Sequence, residues 1–168
     1  MFESIRQVGE EIKHAGGMKA KIAILLYRLA TLFRSRNPIW KLCAIPFVIL
    51  NKIINECLFC VEIPWQARIG YGLKLFHPHC IVINRGTVIG SNCTLRQGVT
   101  IGSVADSNGH ESISPLIGDN VEFGAHAVVI GPVTLGDNVK VGAGTVVTKD
   151  LLDGAIVVGQ PYRILKTD

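Results

Sequence analysis

Beyond Val61 an aliphatic residue returns every six positions, and this period constrains the fold more than any other feature of the chain. One register runs Ile63, Ile69, Leu75, Ile81; a second runs Ile83, Ile89, Leu95, Ile101; a third runs Ile117, Phe123, Val129, Leu135, Val141, Val147. A period of six fits neither the helical repeat nor the two-residue alternation of an ordinary strand. Six residues make one short strand plus a corner, so three hexads close a triangular coil. The repeated aliphatic residue points inward and stacks on its counterpart in the coils above and below. The shift of two between Ile81 and Ile83 predicts a small bulge, and the 16-residue step from Ile101 to Ile117 predicts an ejected loop. Glycine follows the repeated position at Gly70, Gly90, Gly102, Gly118, Gly124, Gly136 and Gly142. There the backbone needs either a positive φ or room for close approach.

The first 60 residues differ in kind. They hold 9 Lys/Arg and 4 Asp/Glu, whereas residues 61–168 hold 8 and 9. Only 3 of the 18 glycines precede residue 61, so the chain divides there into an N-terminal helical segment, 1–60, and a repeat domain, 61–168. The run from Lys19 to Arg36 is apolar nearly all round and reads as a helix that buries most of its surface. Asn37-Pro38 ends it, and a second helix is expected from Ile39 to about Cys60, kinked or split at Pro46. The uncharged stretch Leu42 to Asn51 is about half of the ~20 residues that span a bilayer. Two roles stay open for residues 19–60: packing on a neighbouring subunit, or lying on an anionic membrane surface. The basic residues alternate with aliphatics rather than with stacking aromatics, which argues against nucleic-acid binding.

The five cysteines form no even framework, and the start of the chain lacks the look of a cleavable signal, so a reducing cytoplasm is expected. Cys57-x-x-Cys60 has half the spacing of a zinc site with no second pair following. Buried thiols are therefore expected there, and no metal.

With the hexads on the page, IGDNVEFGAHAVVIGPVTLGDNVKVGAGTVV and the terminal GQPYRI resemble the left-handed parallel β-helix acyltransferases, in particular the branch around serine acetyltransferase. The resemblance spans about residues 60–165 and supplies the expected left hand; the period alone fixes only the coil. It implies transfer of an acetyl group from acetyl-CoA, with a histidine as general base, because the acceptor hydroxyl needs its proton removed as it attacks the thioester.

Matched motif by motif, the resemblance assigns that role to His77 in LFHPHCIVIN. Glu62 stands fifteen residues earlier, where the family carries an aspartate that fixes the histidine's tautomer. A carboxylate so placed orients the ring and stabilises the imidazolium. His79 and, in the ejected loop, His110 are candidate acceptor contacts; His14 reads as solvated and His126 as a surface or subunit contact. Coenzyme A in this family runs along the helix between subunits. That implies contacts at Gly102, Ser103, Ala125 and Ala143, with Lys149 and Arg163 near the phosphates, and a homotrimer whose sites combine two chains.

Two departures bear on the acceptor. Serine enzymes carry Asp before the catalytic histidine and Arg-His before the proline closing the loop; here stand Phe76 and Ile113-Ser114 before Pro115. An amino-acid zwitterion thus lacks partners for both charges, and leaving them unpaired in a desolvated pocket is costly. The polar loop (Ser103, Asp106, Ser107, Asn108, His110, Glu111, Ser112) suits a polyhydroxyl acceptor. The resemblance is therefore nearest to enzymes that O-acetylate exopolysaccharide or capsule sugars, in the cytoplasm or on the inner face of the membrane. Serine O-acetyltransfer and a non-catalytic trimeric scaffold are the alternatives.

Overall fold

Each hexad forms a strand of two or three residues and then turns, because only the inward residue of each strand has a core to enter. The computed structural model describes residues 2–105, 109–110 and 113–159. Its strands are parallel and form three sheets, the faces of a triangular solenoid of about five turns. The first face holds β1 (Val61–Glu62), β4 (Ile81–Ile83), β7 (Thr100–Gly102), β10 (Val128–Ile130) and β13 (Val146–Val147). The second holds β2 (Arg68–Ile69), β5 (Val88–Ile89), β8 (Leu116–Ile117) and β11 (Thr134–Leu135). The third holds β3 (Lys74–Phe76), β6 (Thr94–Arg96), β9 (Glu122–Phe123), β12 (Lys140–Val141) and β14 (Ile156–Val157).

The ladders place Ile83 on Ile101, Ile101 on Val129 and Val129 on Val147, with Ile69 on Ile89 and Leu75 on Leu95 on the other faces. Every repeated residue of the three registers is buried. Each such side chain contributes about 1.5–3 kcal/mol relative to exposure.

The seven glycines that follow the repeated positions all have negative φ, so close approach and not handedness is what most of them supply. A Cβ on Gly118 would fall 2.7 Å from the carbonyl carbon of Gly136 in the next coil. Left-handed corners are carried elsewhere, by Asn92, Asn120 and Asn138 among others. The two extra residues of the first coil lie in the corner between Phe76 and Ile81, where His77 and Cys80 take φ of 51° and 52°.

The helical hairpin is present as α2 (Met18–Ala30) and α3 (Pro38–Leu50), linked by the 3₁₀ turn Thr31–Arg34; α3 runs on into π-helical turns, Asn51–Leu58. Asn37 caps α3 by accepting the Ile39 N–H at 2.9 Å, with Pro38 preset at the first helical position. The structure adds three points to the sequence reading. A further helix, α1 (Phe2–His14), precedes the hairpin. Pro46 lies inside α3 without splitting it. And α3 buries only Ala44, leaving its aliphatic residues outward.

The reason is an unpaired edge. The first coil has no coil before it, so its backbone groups need partners from another element. Arg28 donates to the carbonyls of Ile69 at 2.7 Å and Gly70 at 2.6 Å, and Tyr27 Oη to that of Ala67 at 2.8 Å. Asn51 Nδ2 reaches the Ile63 carbonyl at 3.1 Å. Glu11 accepts the Leu73 N–H at 2.9 Å, and the Ala15 carbonyl accepts that of Leu75 at 3.1 Å. Glu11 and Arg28 also pair with each other through two bonds of 2.6 and 2.7 Å, both side chains nearly fully buried. Polar side chains of the helices thus cap the open end of the solenoid, while Ala20, Ala23 and Ile24 join its apolar core.

The expectation of buried thiols at Cys57 and Cys60 is not met: Cys43, Cys57, Cys60 and Cys80 are exposed, and only Cys93 is buried. Cys60 and Cys80 each occupy a left-handed residue just before a strand of the first face, outside the inward hexad position. Cys93 sits inside the solenoid, where burial pushes its thiol up to about 11. Among the described residues no His, Cys, Asp and Glu side chains cluster in a way that could hold a metal ion. No described helix is long and apolar enough to cross a membrane.

Candidate active site

The corner between the third and first faces gathers histidines. His77 is exposed and lines a cavity of about 450 Å³ with Gly17, Lys19, Ala20, Phe76, Pro78 and His79. The N-terminal end of α2 therefore forms one wall and the bulged corner the other. His79 Nδ1 lies 3.3 Å from the Phe59 carbonyl, a bond in which a protonated Nδ1 donates. Lower coils stack beneath this corner through backbone bonds: Gly98 N–H to the His79 carbonyl at 2.9 Å, His126 N–H to Gln97 at 2.8 Å, and Gly144 N–H to Ala125 at 2.8 Å. Ala125 and Ala143 occupy successive corners of this column, half-buried and exposed respectively.

His126, read from sequence as a surface or subunit contact, stands on the same column. Its imidazole covers Gly98, where a Cβ would fall 2.6 Å from His126 Cε1. The left-handed conformations at Gly98 and His126 (φ 71° and 59°) repeat that of Cys80 (φ 52°) one and two coils away, on the corner that carries His77 and His79. Sequence spacing held that signal, since His126 follows Gly98 by the coil-plus-loop interval, but only the register identifies it.

A second group lies on and beyond the first face. Glu62 is exposed on β1 and lines a cleft of about 340 Å³ with Gln66, Asn84, Arg85, Gly102 and Ser103. Asn84 organises this end. Its Nδ2 donates to Ser103 Oγ at 3.1 Å, and its Oδ1 accepts from Ser114 Oγ at 3.0 Å and from the Gly86 N–H at 2.9 Å. Ser103 and Ser114 stand on either side of the ejected loop, so one side chain ties both of its roots; sequence reasoning missed Asn84. Gly102 has open space where a Cβ would project, which leaves its backbone approachable by an extended ligand. Lys149 is exposed two residues past β13, at the same side of the face.

The candidates thus fall at opposite edges of the first face: His77, His79, Ala125 and Ala143 at its entrance, Gly102, Ser103 and Lys149 at its exit. Among the described residues no hydrogen bond or ion pair joins Glu62 to His77, and the two line different cavities. The ladder explains the separation. A full first coil pairs Glu62 with Val82, and His77 precedes Val82 by the bulged corner. His110 is exposed in the loop. Arg163 and the loop residues Asp106, Ser107, Asn108, Glu111 and Ser112 lie outside the described residues.

Comparison with known proteins adds to this geometry. A family profile for the bacterial transferase hexapeptide, six repeats, matches residues 114–149. The chain is 41% identical over 144 residues to a protein of Escherichia coli K12 named as a colanic acid biosynthesis acetyltransferase, WcaB, covering 84% of this chain and 87% of that one. It is 36% identical over 150 residues to the chloroplastic serine acetyltransferase 1 of Arabidopsis thaliana, covering 89% of this chain and 45% of that protein. A structure of Brucella abortus serine acetyltransferase in complex with coenzyme A superposes with a TM-score of 0.71 at 29% identity, over 88% of this chain and 56% of that one. The chain therefore spans about half the length of the serine acetyltransferases it matches.

Proposed function

The chain belongs to the left-handed β-helix, hexapeptide-repeat acyltransferases, and from that premise we propose that it transfers acetyl from acetyl-CoA to a hydroxyl of a carbohydrate, an exopolysaccharide or capsule precursor. The observation that carries the acceptor class is the 41% identity to a colanic acid acetyltransferase over most of both chains. The residues support it. Phe76 stands where an ammonium would need an anion, and Gln66, Asn84, Arg85 and Ser103 line the cleft beside Glu62 with donors and acceptors suited to neutral hydroxyls.

In this reading His77 takes the acceptor hydroxyl's proton as the oxygen attacks the thioester carbonyl. The new C–O bond forms, the C–S bond breaks, and the imidazolium returns its proton to the departing thiolate. Glu62 is the positioning carboxylate, a role that requires the assembled site to bring it to a His77 ring, and His79 and His110 contact the acceptor. Gly102, Ser103, Ala125 and Ala143 offer backbone groups and small side chains along which coenzyme A lies, with Lys149 and Arg163 toward its phosphates. Residues 61–168 carry the chemistry and residues 1–60 the cap. Because the candidate residues divide between two edges of the first face, we take the working enzyme to be a homotrimer in which one protomer's entrance edge faces its neighbour's exit edge. Exposed Val82 and Val146 on that face, and Val88 and Leu116 on the next, support side-by-side packing. We place the enzyme in the cytoplasm.

The test is thiol release from acetyl-CoA with sugar nucleotides, polysaccharide oligomers and L-serine, for wild type and His77→Ala. A carbohydrate-dependent turnover that falls by about 10²–10⁴ in the variant, with coenzyme A affinity kept, is expected. Unchanged turnover in the variant overturns His77 as base. Turnover with serine alone moves the acceptor to serine, and absence of both turnover and coenzyme A binding leaves a trimeric scaffold.

A further inference from the structure

We propose that the outer face of α3 and of the π-helical turns after it is a docking surface for an anionic lipid bilayer. The helix is inverted relative to an ordinary surface helix, which buries its apolar stripe and exposes its polar one. Its inward residues are Ala44, Asn51 and Asn55; Asn55 Nδ2 donates to the Ala23 carbonyl at 2.9 Å and to Asn51 Oδ1 at 2.8 Å. Its outward residues Ile39, Leu42, Ile45, Ile49 and Ile53 recur at three- and four-residue steps along one side and are 43–69% exposed. Leu58, at the far end, is 71% exposed. An apolar stripe of this length facing water is a surface awaiting an apolar partner. From Pro38 to Leu58 the helix is about 30 Å long at the α-helical rise, and it lies along the protein rather than projecting from it.

Charge selects the occupant. Residues 31–58 carry Arg34, Arg36, Lys41 and Lys52 against the single acid Glu56, and Arg36, Lys41 and Lys52 are exposed. A second copy docked through the same stripe would bring two basic surfaces together with only Glu56 on each to oppose four cations. Lipid tails take the aliphatic residues and lipid phosphates the flanking cations, which is the arrangement of an interfacial helix.

The surface is continuous with the histidine corner. Leu58 precedes Phe59, whose carbonyl meets His79 Nδ1 and whose ring lies 5.1 Å from Lys19 Nζ. A seated helix therefore holds the cavity of His77 beside the bilayer, where a saccharide carried on a lipid would present its hydroxyls. This last consequence rests on the acyltransfer reading; the docking itself does not.

The experiment uses the full chain and vesicles free of saccharide and of acetyl-CoA, so its outcome is independent of turnover. Flotation is compared for phosphatidylcholine vesicles with and without phosphatidylglycerol, at low and high salt. Binding is expected only with phosphatidylglycerol at low salt, weakened at least about tenfold in Lys41→Gln/Lys52→Gln. It should be abolished in Leu42→Glu/Ile49→Glu, with circular dichroism and thermal melting confirming that both variants fold. Absence of flotation for the wild type at low salt overturns the proposal. So does binding that survives Leu42→Glu/Ile49→Glu. A wild-type oligomer that light scattering shows falling apart in that variant, without vesicle binding, would assign the stripe to a second copy.

Discussion

The solenoid and the helical cap solve opposite problems with opposite side chains. In the coils, the next coil satisfies the backbone, so the inward side chain is free to be aliphatic; Leu95, Ile101, Phe123 and Val129 are fully buried. In the cap, the inward side chains themselves complete the backbone of the first coil, so Arg28, Glu11 and Asn51 go in, with Asn55 bonded behind Asn51 to the Ala23 carbonyl of α2, and the aliphatic residues of α3 go out. What faces inward is set by what the adjoining surface lacks. Where that surface is apolar it takes Leu and Ile; where it is a row of unpaired N–H and C=O groups it takes donors and acceptors.

The sharpest way to break this contrast is at Glu11. Glu11→Ala strands the buried Arg28 charge and the Leu73 N–H together, and should lower unfolding free energy by about 3–5 kcal/mol in urea titration. A loss under about 1 kcal/mol would make the cap an ornament rather than the partner of the first coil. Next is a matched pair of leucines. Leu95→Ala, within the solenoid, should cost about 2–5 kcal/mol, whereas Leu42→Ala, on the outer side of α3, should stay within about 0.5 kcal/mol for the isolated protein. Comparable losses at both would mean that α3 is covered in solution. The smallest effect is chemical and leaves stability untouched. In the folded protein at mildly alkaline pH, a thiol reagent should label Cys43, Cys57, Cys60 and Cys80, while Cys93, its thiol pushed up to about 11 by burial, reacts only after denaturation. Fast labelling of all five in the native state would show that the solenoid interior opens at Cys93.

Much of the solenoid was legible because each hexad reports on itself. The three registers name the buried positions, the two-residue shift names the bulge at His77, and the step after Ile101 names the ejected loop. The glycines were half-legible: the pattern demanded small residues, but whether for positive φ or for contact with Gly136 and its neighbours depended on the coil beneath. The candidate site was less legible still. Motif spacing pointed to His77, Glu62, Ala125 and Ala143 one at a time, yet Asn84 acquired its grip on Ser103 and Ser114 only through the ladder, and His126 joined the histidine column by register. In the N-terminal segment the reading missed α1, although Gly16-Gly17 marks its end and Glu10 sits three residues before Lys13, with a 2.7 Å ion pair between them.

By itself the sequence determined the coil: a six-residue period closes a triangular turn whichever coil precedes it, since each inward aliphatic residue meets a copy of its own environment. The tertiary structure decided the orientation of the helices and the grouping of the site. Both depend on groups distant in sequence, the unpaired edge of the first coil in one case and the stacking of corners from separate coils in the other. No local period encodes those, because the residues that meet there are brought together only once the coils have stacked.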